Sequence, residues 1–230
     1  NNPFDYLRII TGIDSDAPHL HKYYNIADYW FKEFNYDLYN DNRTIIRFNA
    51  ITHLFSFGCF SVHTVFMCFL SFTGLTAIYK TCYHYLKGKK TALIIAVYLI
   101  PSVIFWTSGV LKEGILIFAF GMLVYSFQRL IMVSFRWNLF IWLLVSGFLL
   151  MITKFYVLFA AFPGLISMMW ITKTKRPYPI LKFLIVHLAF ILIMFNSQLV
   201  SSYNFIEILS KKQHDFISYT NDLANVGSVI

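Results

Sequence analysis

Residues 101–112 read Pro-Ser-Val-Ile-Phe-Trp-Thr-Ser-Gly-Val-Leu-Lys, and Glu113 follows at once. On either side lie long apolar runs, residues 93–105 and 110–127. Hydrocarbon cannot solvate a broken backbone or an adjacent Lys and Glu, so this interruption is costly unless it leaves the bilayer. The stretch is therefore expected to be the tip of a transmembrane hairpin at a membrane face. Working outward from it sorts the other segments onto one side of the membrane or the other.

Composition supports that reading. Of the 230 residues, 58% are hydrophobic, 20% aromatic and only 13% charged, against roughly 25% charged in soluble domains. The long runs are apolar on every face, as buried or membrane-spanning helices are. The formal net charge is +8, but the basic residues sit in short clusters between apolar runs. That placement belongs to membrane flanks and excludes a nucleic-acid partner. Cys59, Cys68 and Cys82 fall in or beside one predicted span without metal-ligand spacing, so they read as buried or juxtamembrane thiols. The first residues are polar, with no initiator Met and no signal-peptide pattern, and the chain is expected to begin inside a longer protein.

The expected fold is an all-α polytopic transmembrane bundle. Residues 1–57 form an extracytoplasmic loop with short interfacial helices, 58–196 a six-span region, and 197–230 a polar extracytoplasmic segment. The first region holds seven of the eleven acidic residues. Helical patterning appears over 23–34 and 44–55, with a turn-like Tyr-Asn-Asp-Asn at 39–42 between them. The spans are expected at about 59–79, 91–107, 110–128, 138–153, 156–171 and 181–196, some near the lower length limit for a bilayer. The fourth and fifth are separated only by Lys154 and Phe155. The alternate loops at 80–90, 129–136 and 173–182 carry ten Lys or Arg and no acid, whereas all eleven acids fall on the other side. By the positive-inside rule the basic loops are cytoplasmic. The hairpin tip, Lys154 and both ends of the chain are then extracytoplasmic.

Several residues stand out on that face. Lys112 and Glu113 open the third span. Glu113 suits the positive end of the helix dipole, and the pair reads either as an interfacial anchor or as a contact for an anionic headgroup. Lys154, followed by Phe155 and Tyr156, lies between two apolar spans, where a cation must snorkel, pair, or meet a phosphate. Arg43 and Arg47 are one helical turn apart and suit one phosphate, or lipid headgroups more generally. Asp14 and Asp16 follow a Gly-Ile turn near His19, His21, Tyr23, Tyr24 and Asp28. A carboxylate there suits a general base, a divalent cation held by oxygen ligands, or an ordinary solvated loop. His19 and His21 alone are a weak metal signal. His53, His63, His84 and His187 are scattered and read as structural. The chain shows no Gly-rich nucleotide loop, no nucleophile elbow and no zinc-ligand set.

The polar first loop with early aspartates, the interfacial arginines and the hairpin at residues 101–113 together resemble polytopic glycosyltransferases of the GT-C superfamily. Within it, the chain is most similar to bacterial members distantly related to protein O-mannosyltransferases. The resemblance implies a multi-pass protein of the bacterial inner membrane with its active face extracytoplasmic. It implies a polyprenyl-phosphate-linked sugar donor, a saccharide or protein acceptor, and inversion at the anomeric carbon. Asp14 or Asp16 would be the base and Arg43, Arg47, Lys112 and Lys154 the phosphate contacts, with Glu113 and Tyr156 in support. The family's acidic signature follows a first span that this sequence lacks, and six spans are fewer than such an enzyme has. A polysaccharide repeat-unit polymerase shares the lipid-linked chemistry, although the short turn at Lys154 does not suit its long acceptor loop. A transporter or flippase is the non-enzymatic alternative, but transporters carry charged or broken helices near the midplane. A non-catalytic membrane subunit is a further alternative.

Overall fold

The computed structural model describes residues 3–11, 17–26, 42–174 and 178–196, with single positions 210, 213, 214 and 217 beyond them. Among these residues every regular element is an α-helix. Two short helices, α1 (Pro3–Thr11) and α2 (His21–Ile26), precede α3 (Asn42–Ser56), α4 (Phe60–Tyr85), α5 (Lys90–Tyr98), α6 (Pro101–Ser108), α7 (Lys112–Met132), α8 (Trp137–Lys173) and α9 (Pro179–Phe195). Two compact units emerge, residues 1–32 with 39–165 and residues 33–38 with 166–230.

Among the described residues, α4, α7 and α8 are each long and apolar enough to cross a membrane, and α5 with α6 adds a fourth segment if taken as one span bent by 49°. Pro101 causes the bend. It lacks an N–H and clashes with the preceding turn, so it cannot continue α5 but suits the first turn of a new helix. Ile100 before it is extended (φ −70°, ψ 120°), as a residue preceding proline prefers. Most of the expected tip is consequently helix. Residues 101–108 belong to α6, and the non-helical turn is only Gly109 to Leu111.

The expected fourth and fifth stretches are both helical and follow one another as α8, which is two helices joined across a kink at Lys154, where the backbone leaves helical geometry (φ −148°, ψ 85°). Straight, α8 would extend about 55 Å, far beyond a hydrocarbon core of about 30 Å. The break separates two stretches of roughly 25 and 28 Å. The first span is longer than expected, since α4 continues past Lys80 to Tyr85. Tyr79, Tyr83 and Tyr98 form an aromatic cluster near that end, with Tyr79 stacked on Tyr83 at 5.8 Å and tilted against Tyr98 at 5.9 Å. Such aromatics, with a snorkelling lysine, extend a span into the interfacial layer.

The centre of the first unit is the α4–α7 pair. Gly114 faces Met67 and Ser71, Gly121 faces Gly74, and the Gln128 side-chain amide donates to the Thr81 carbonyl at 3.2 Å. The order of these contacts makes the two helices parallel. Small residues let the backbones approach where lipid supplies no hydrophobic drive, and buried polar side chains add hydrogen bonds between helices. The intervening α5 and α6 return antiparallel to α4. The Tyr98 hydroxyl donates to Thr76 Oγ1 at 3.0 Å, and Ser71 Oγ lies 2.9 Å from the Thr107 carbonyl. The Cys68 thiol donates to the Ser108 carbonyl at 3.4 Å. The last carbonyls of α6, which have no partner within their own helix, thus find donors on α4. On the other side of α7, Ala119 and Leu123 pack with Leu150 of α8, and a Cβ added at Gly147 would meet the Leu123 side chain at the distance of ordinary contact.

The N-terminal helices dock onto α3. Leu20 and Tyr24 form a small core with Ile9, Ala17 and Ile46, and the Tyr6 hydroxyl donates to the Ala50 carbonyl at 2.6 Å. Burial pushes the Tyr6 phenol up from its ordinary pKa, because the anion would lose both solvent and this bond. The expected helix over 44–55 is present as α3; of the expected one over 23–34, residues 23–26 belong to α2 and 27–34 lie outside the described residues. Asn42 of the expected turn is helical, and 39–41 lie outside the described residues, as does most of the tail. In the second unit, α9 starts with Pro179 after Tyr178, which adopts φ 78°. Lys182 is buried and donates to the Thr174 carbonyl at 3.4 Å.

Candidate functional site

Three elements converge at the end of the first unit where α7 begins: the first turns of α3, the first turn of α7, and the break in α8. The Lys112 ammonium donates to Asn42 Oδ1 at 3.2 Å. The neighbouring Glu113 accepts from the Lys154 ammonium at 3.0 Å, and both side chains are largely enclosed, at 17% exposure for Lys154 and 24% for Glu113. Tyr156 adds a polar contact to the same ammonium. The Thr44 hydroxyl donates to the Ile152 carbonyl at 2.8 Å.

Each contact answers a local need. A lysine in the first helical turn opposes the helix dipole, so Lys112 gains from a neutral acceptor on α3, while Glu113 is favoured there. Breaking α8 at Lys154 frees carbonyls of the preceding turn, and Thr44 takes one of them. Removing that donor with Thr44→Val is expected to cost about 1 kcal/mol, with Thr44→Ser close to wild type. Thermal unfolding of the purified protein in detergent measures the difference, and equal values for the two variants would contradict it.

Arg43 and Arg47, four residues apart on α3, share the turns that carry Asn42 and Thr44, and both are half-buried. Among the described residues, the start of α3, the start of α7 and the α8 break therefore carry Arg43, Arg47, Lys112 and Lys154 with one carboxylate, Glu113. Guanidinium and ammonium groups grouped beside two helix N-termini suit a phosphate or another anion. The opposite end of the α4–α7 pair carries the first two basic loops, as the Tyr85 hydroxyl contact to Met132 Sδ at 3.9 Å shows. Lys112, Glu113 and Lys154 are thus separated from those loops by the length of α7.

Asp14 and Asp16, the residues assigned as base or cation ligands, lie outside the described residues. His19 lies 3.3 Å from Asp5, which also meets Arg8 at 3.9 Å. Among the described residues no group of three or more His, Cys, Asp or Glu is placed to hold a metal ion.

The sequence reading did not find Asn42 or Thr44. Asn and Thr in the first turn of a helix do carry a signal, but it points to capping and names no distant partner. It also passed over a polar triad between α3 and α4. Ser56 Oγ lies 2.8 Å from His63 Nε2, and His63 Nδ1 lies 3.3 Å from Asn49 Oδ1. Ser56 and His63 are both buried. Seven and fourteen residues separate His63 from its partners, so neither pair shows in local spacing.

No family model matches the chain, and neither a curated protein nor a solved structure matches it.

Proposed function

We propose that the protein is an integral-membrane glycosyltransferase that moves a sugar from a polyprenyl-phosphate-linked donor to a saccharide or protein acceptor on the extracytoplasmic face of a bacterial inner membrane. The observation that supports this reading is the convergence of Lys112, Lys154 and Glu113 with the arginine-bearing start of α3. On this reading the two stretches of α8 and the apolar α9 each cross the membrane, making six spans with α4, α5–α6 and α7.

The chemistry asks little of the protein. A polyprenyl-phosphate sugar is already activated, so the protein supplies a base for the acceptor hydroxyl, cations for the leaving phosphate and an apolar surface for the lipid. Asp14 or Asp16 takes the acceptor proton as the acceptor oxygen attacks the anomeric carbon with inversion. The bond to the phosphate breaks, and Arg43, Arg47, Lys112 and Lys154 stabilise the charge left there. Lys154 is held by Glu113 before the donor arrives, so phosphate binding shifts that ammonium from one anion toward another.

The test is transfer from radiolabelled polyprenyl-phosphate sugars in membranes containing the protein, at matched amounts of folded wild type, Asp14→Asn, Asp16→Asn and Lys112→Gln. Loss of about 100-fold or more with one aspartate variant is expected for removal of a general base. Lys112→Gln is expected to raise the KM for the lipid donor. Wild-type membranes that transfer none of several donor sugars would overturn the activity. Transfer indifferent to all three substitutions would move the site elsewhere.

A further inference from the structure

We propose that Ser56 is a nucleophile activated by His63 and positioned with Asn49, forming an acyl-transfer site for esters carried by membrane amphiphiles. This site is separate from the cation cluster and does not depend on the glycosyltransferase reading.

The geometry has the two hydrogen bonds that activate a serine. If Asn49 Oδ1 accepts the proton on His63 Nδ1, Nε2 is left with a lone pair, and Ser56 Oγ is 2.8 Å away. That is the nucleophile, base and orienting group expected in covalent catalysis. The setting adds two further observations. Ser56 ends α3 and runs directly into Phe57 at φ 50° and Gly58 at φ 88°. A bulky residue in left-handed backbone is strained, and such strain collects at functional sites. Around the turn, Phe55, Phe57 and Phe60 are 66%, 94% and 70% exposed. An acyl chain would find an apolar rim beside the hydroxyl, at the same end of α4 as the start of α7. Ser56 itself is only 4% exposed, so substrate reaches it by displacing the strained Phe57–Gly58 turn.

The reaction balances without a cofactor. Ser56 Oγ attacks the carbonyl carbon of the ester while its proton passes to His63 Nε2. The ester C–O bond breaks, and the leaving alcohol takes that proton. Water then attacks the acyl-serine, losing its proton to His63, and the proton returns to Ser56 as the carboxylic acid departs. No group is oxidised or reduced. His63 is the base, and Asn49 acts through it as a positioning residue.

The experiment treats the detergent-solubilised protein with alkyl fluorophosphonates of short and long chain and maps the adduct by peptide mass. Ser56 is expected to be labelled in the wild type, faster by the long-chain probe, with fluoride leaving as the Oγ–P bond forms. Ser56→Ala abolishes the adduct, and His63→Gln slows labelling by about 10²–10⁴-fold. Asn49→Leu slows it, and Asn49→Asp restores it, which a role in packing alone would not produce. Wild-type protein that takes no label on Ser56 overturns the proposal, and this result needs no variant to fold. So does His63→Gln labelling at the wild-type rate while migrating as wild type in gel filtration. Equal rates for the two probes would overturn the amphiphile assignment.

Discussion

Gly74→Leu is expected to abolish the folded α4–α7 pair, and even Gly74→Ala is expected to lower the melting temperature in detergent. An added Cβ at Gly74 would come 2.5 Å from the Phe118 Cα and 2.6 Å from its nitrogen, besides meeting the Ile117 carbonyl oxygen. These are backbone atoms inside α7 and cannot rotate away. At an exposed helix position, Gly→Ala is stabilising by about 1 kcal/mol, so a loss here isolates the steric term. Overpacking of this kind costs about 1–3 kcal/mol, and more when a whole isobutyl group must fit. Gly121→Ala should behave like Gly74→Ala, because its Cβ would meet the backbone of Gly74. Gly114→Ala should be milder. Its Cβ would come 2.5 Å from Met67 Sδ, at the movable end of a flexible side chain. A melting series with Gly114→Ala as damaging as the other two would contradict this account of the interface.

Substituting one member of the Glu113–Lys154 pair is expected to cost more than substituting both. Glu113→Gln leaves an ammonium in an enclosed setting beside apolar helices, and Lys154→Met leaves a carboxylate there. Removing one partner of a fully buried pair costs about 3–5 kcal/mol, much of it for stranding the other charge. These side chains retain 17% and 24% exposure, so about 1–3 kcal/mol for each single change is the expectation. The double variant should recover most of that loss, with a coupling of about 0.5–3 kcal/mol. Chemical unfolding in mixed micelles across the four-member cycle measures it. Zero coupling would mean that Lys154 snorkels to water and that Glu113 is incidental to it. In the transfer assay, strong coupling also predicts that Glu113→Gln alters donor affinity, because phosphate and Glu113 share one ammonium.

Membrane helices were legible in the chain because hydropathy is a local property that accumulates along a run. The apolar stretches beside residues 101–112 were enough to place α7 and the α5–α6 return, and a separate run over 59–79 placed α4. Pro101 carried the bend in plain view, yet the span reading passed through it, since apolar counting does not register a missing N–H. Lys154 was recognisable as an expensive cation between two apolar stretches. The structure breaks the helix at that residue and keeps a helical stretch on each side, while the Ile152 carbonyl freed by the break goes to Thr44 on α3, a partner that local sequence could not name. As for the early loop, Asp14 and Asp16 lie outside the described residues, so the base assignment rests on the resemblance.

By itself the sequence determined the class of the protein: a chain of apolar helices, several long enough to cross a membrane, with its cations grouped in short clusters. That much follows because burying charge in hydrocarbon is costly whatever the tertiary arrangement. Only the tertiary structure decided which groups meet. Lys154 finds Glu113 across 41 residues, Lys112 finds Asn42 across 70, and Thr44 finds Ile152 across 108. A hydrogen bond is specific over about 3 Å and a few tens of degrees. Its partner is chosen by how the helices pack, and in this chain the glycines of α4 and α7 set that packing.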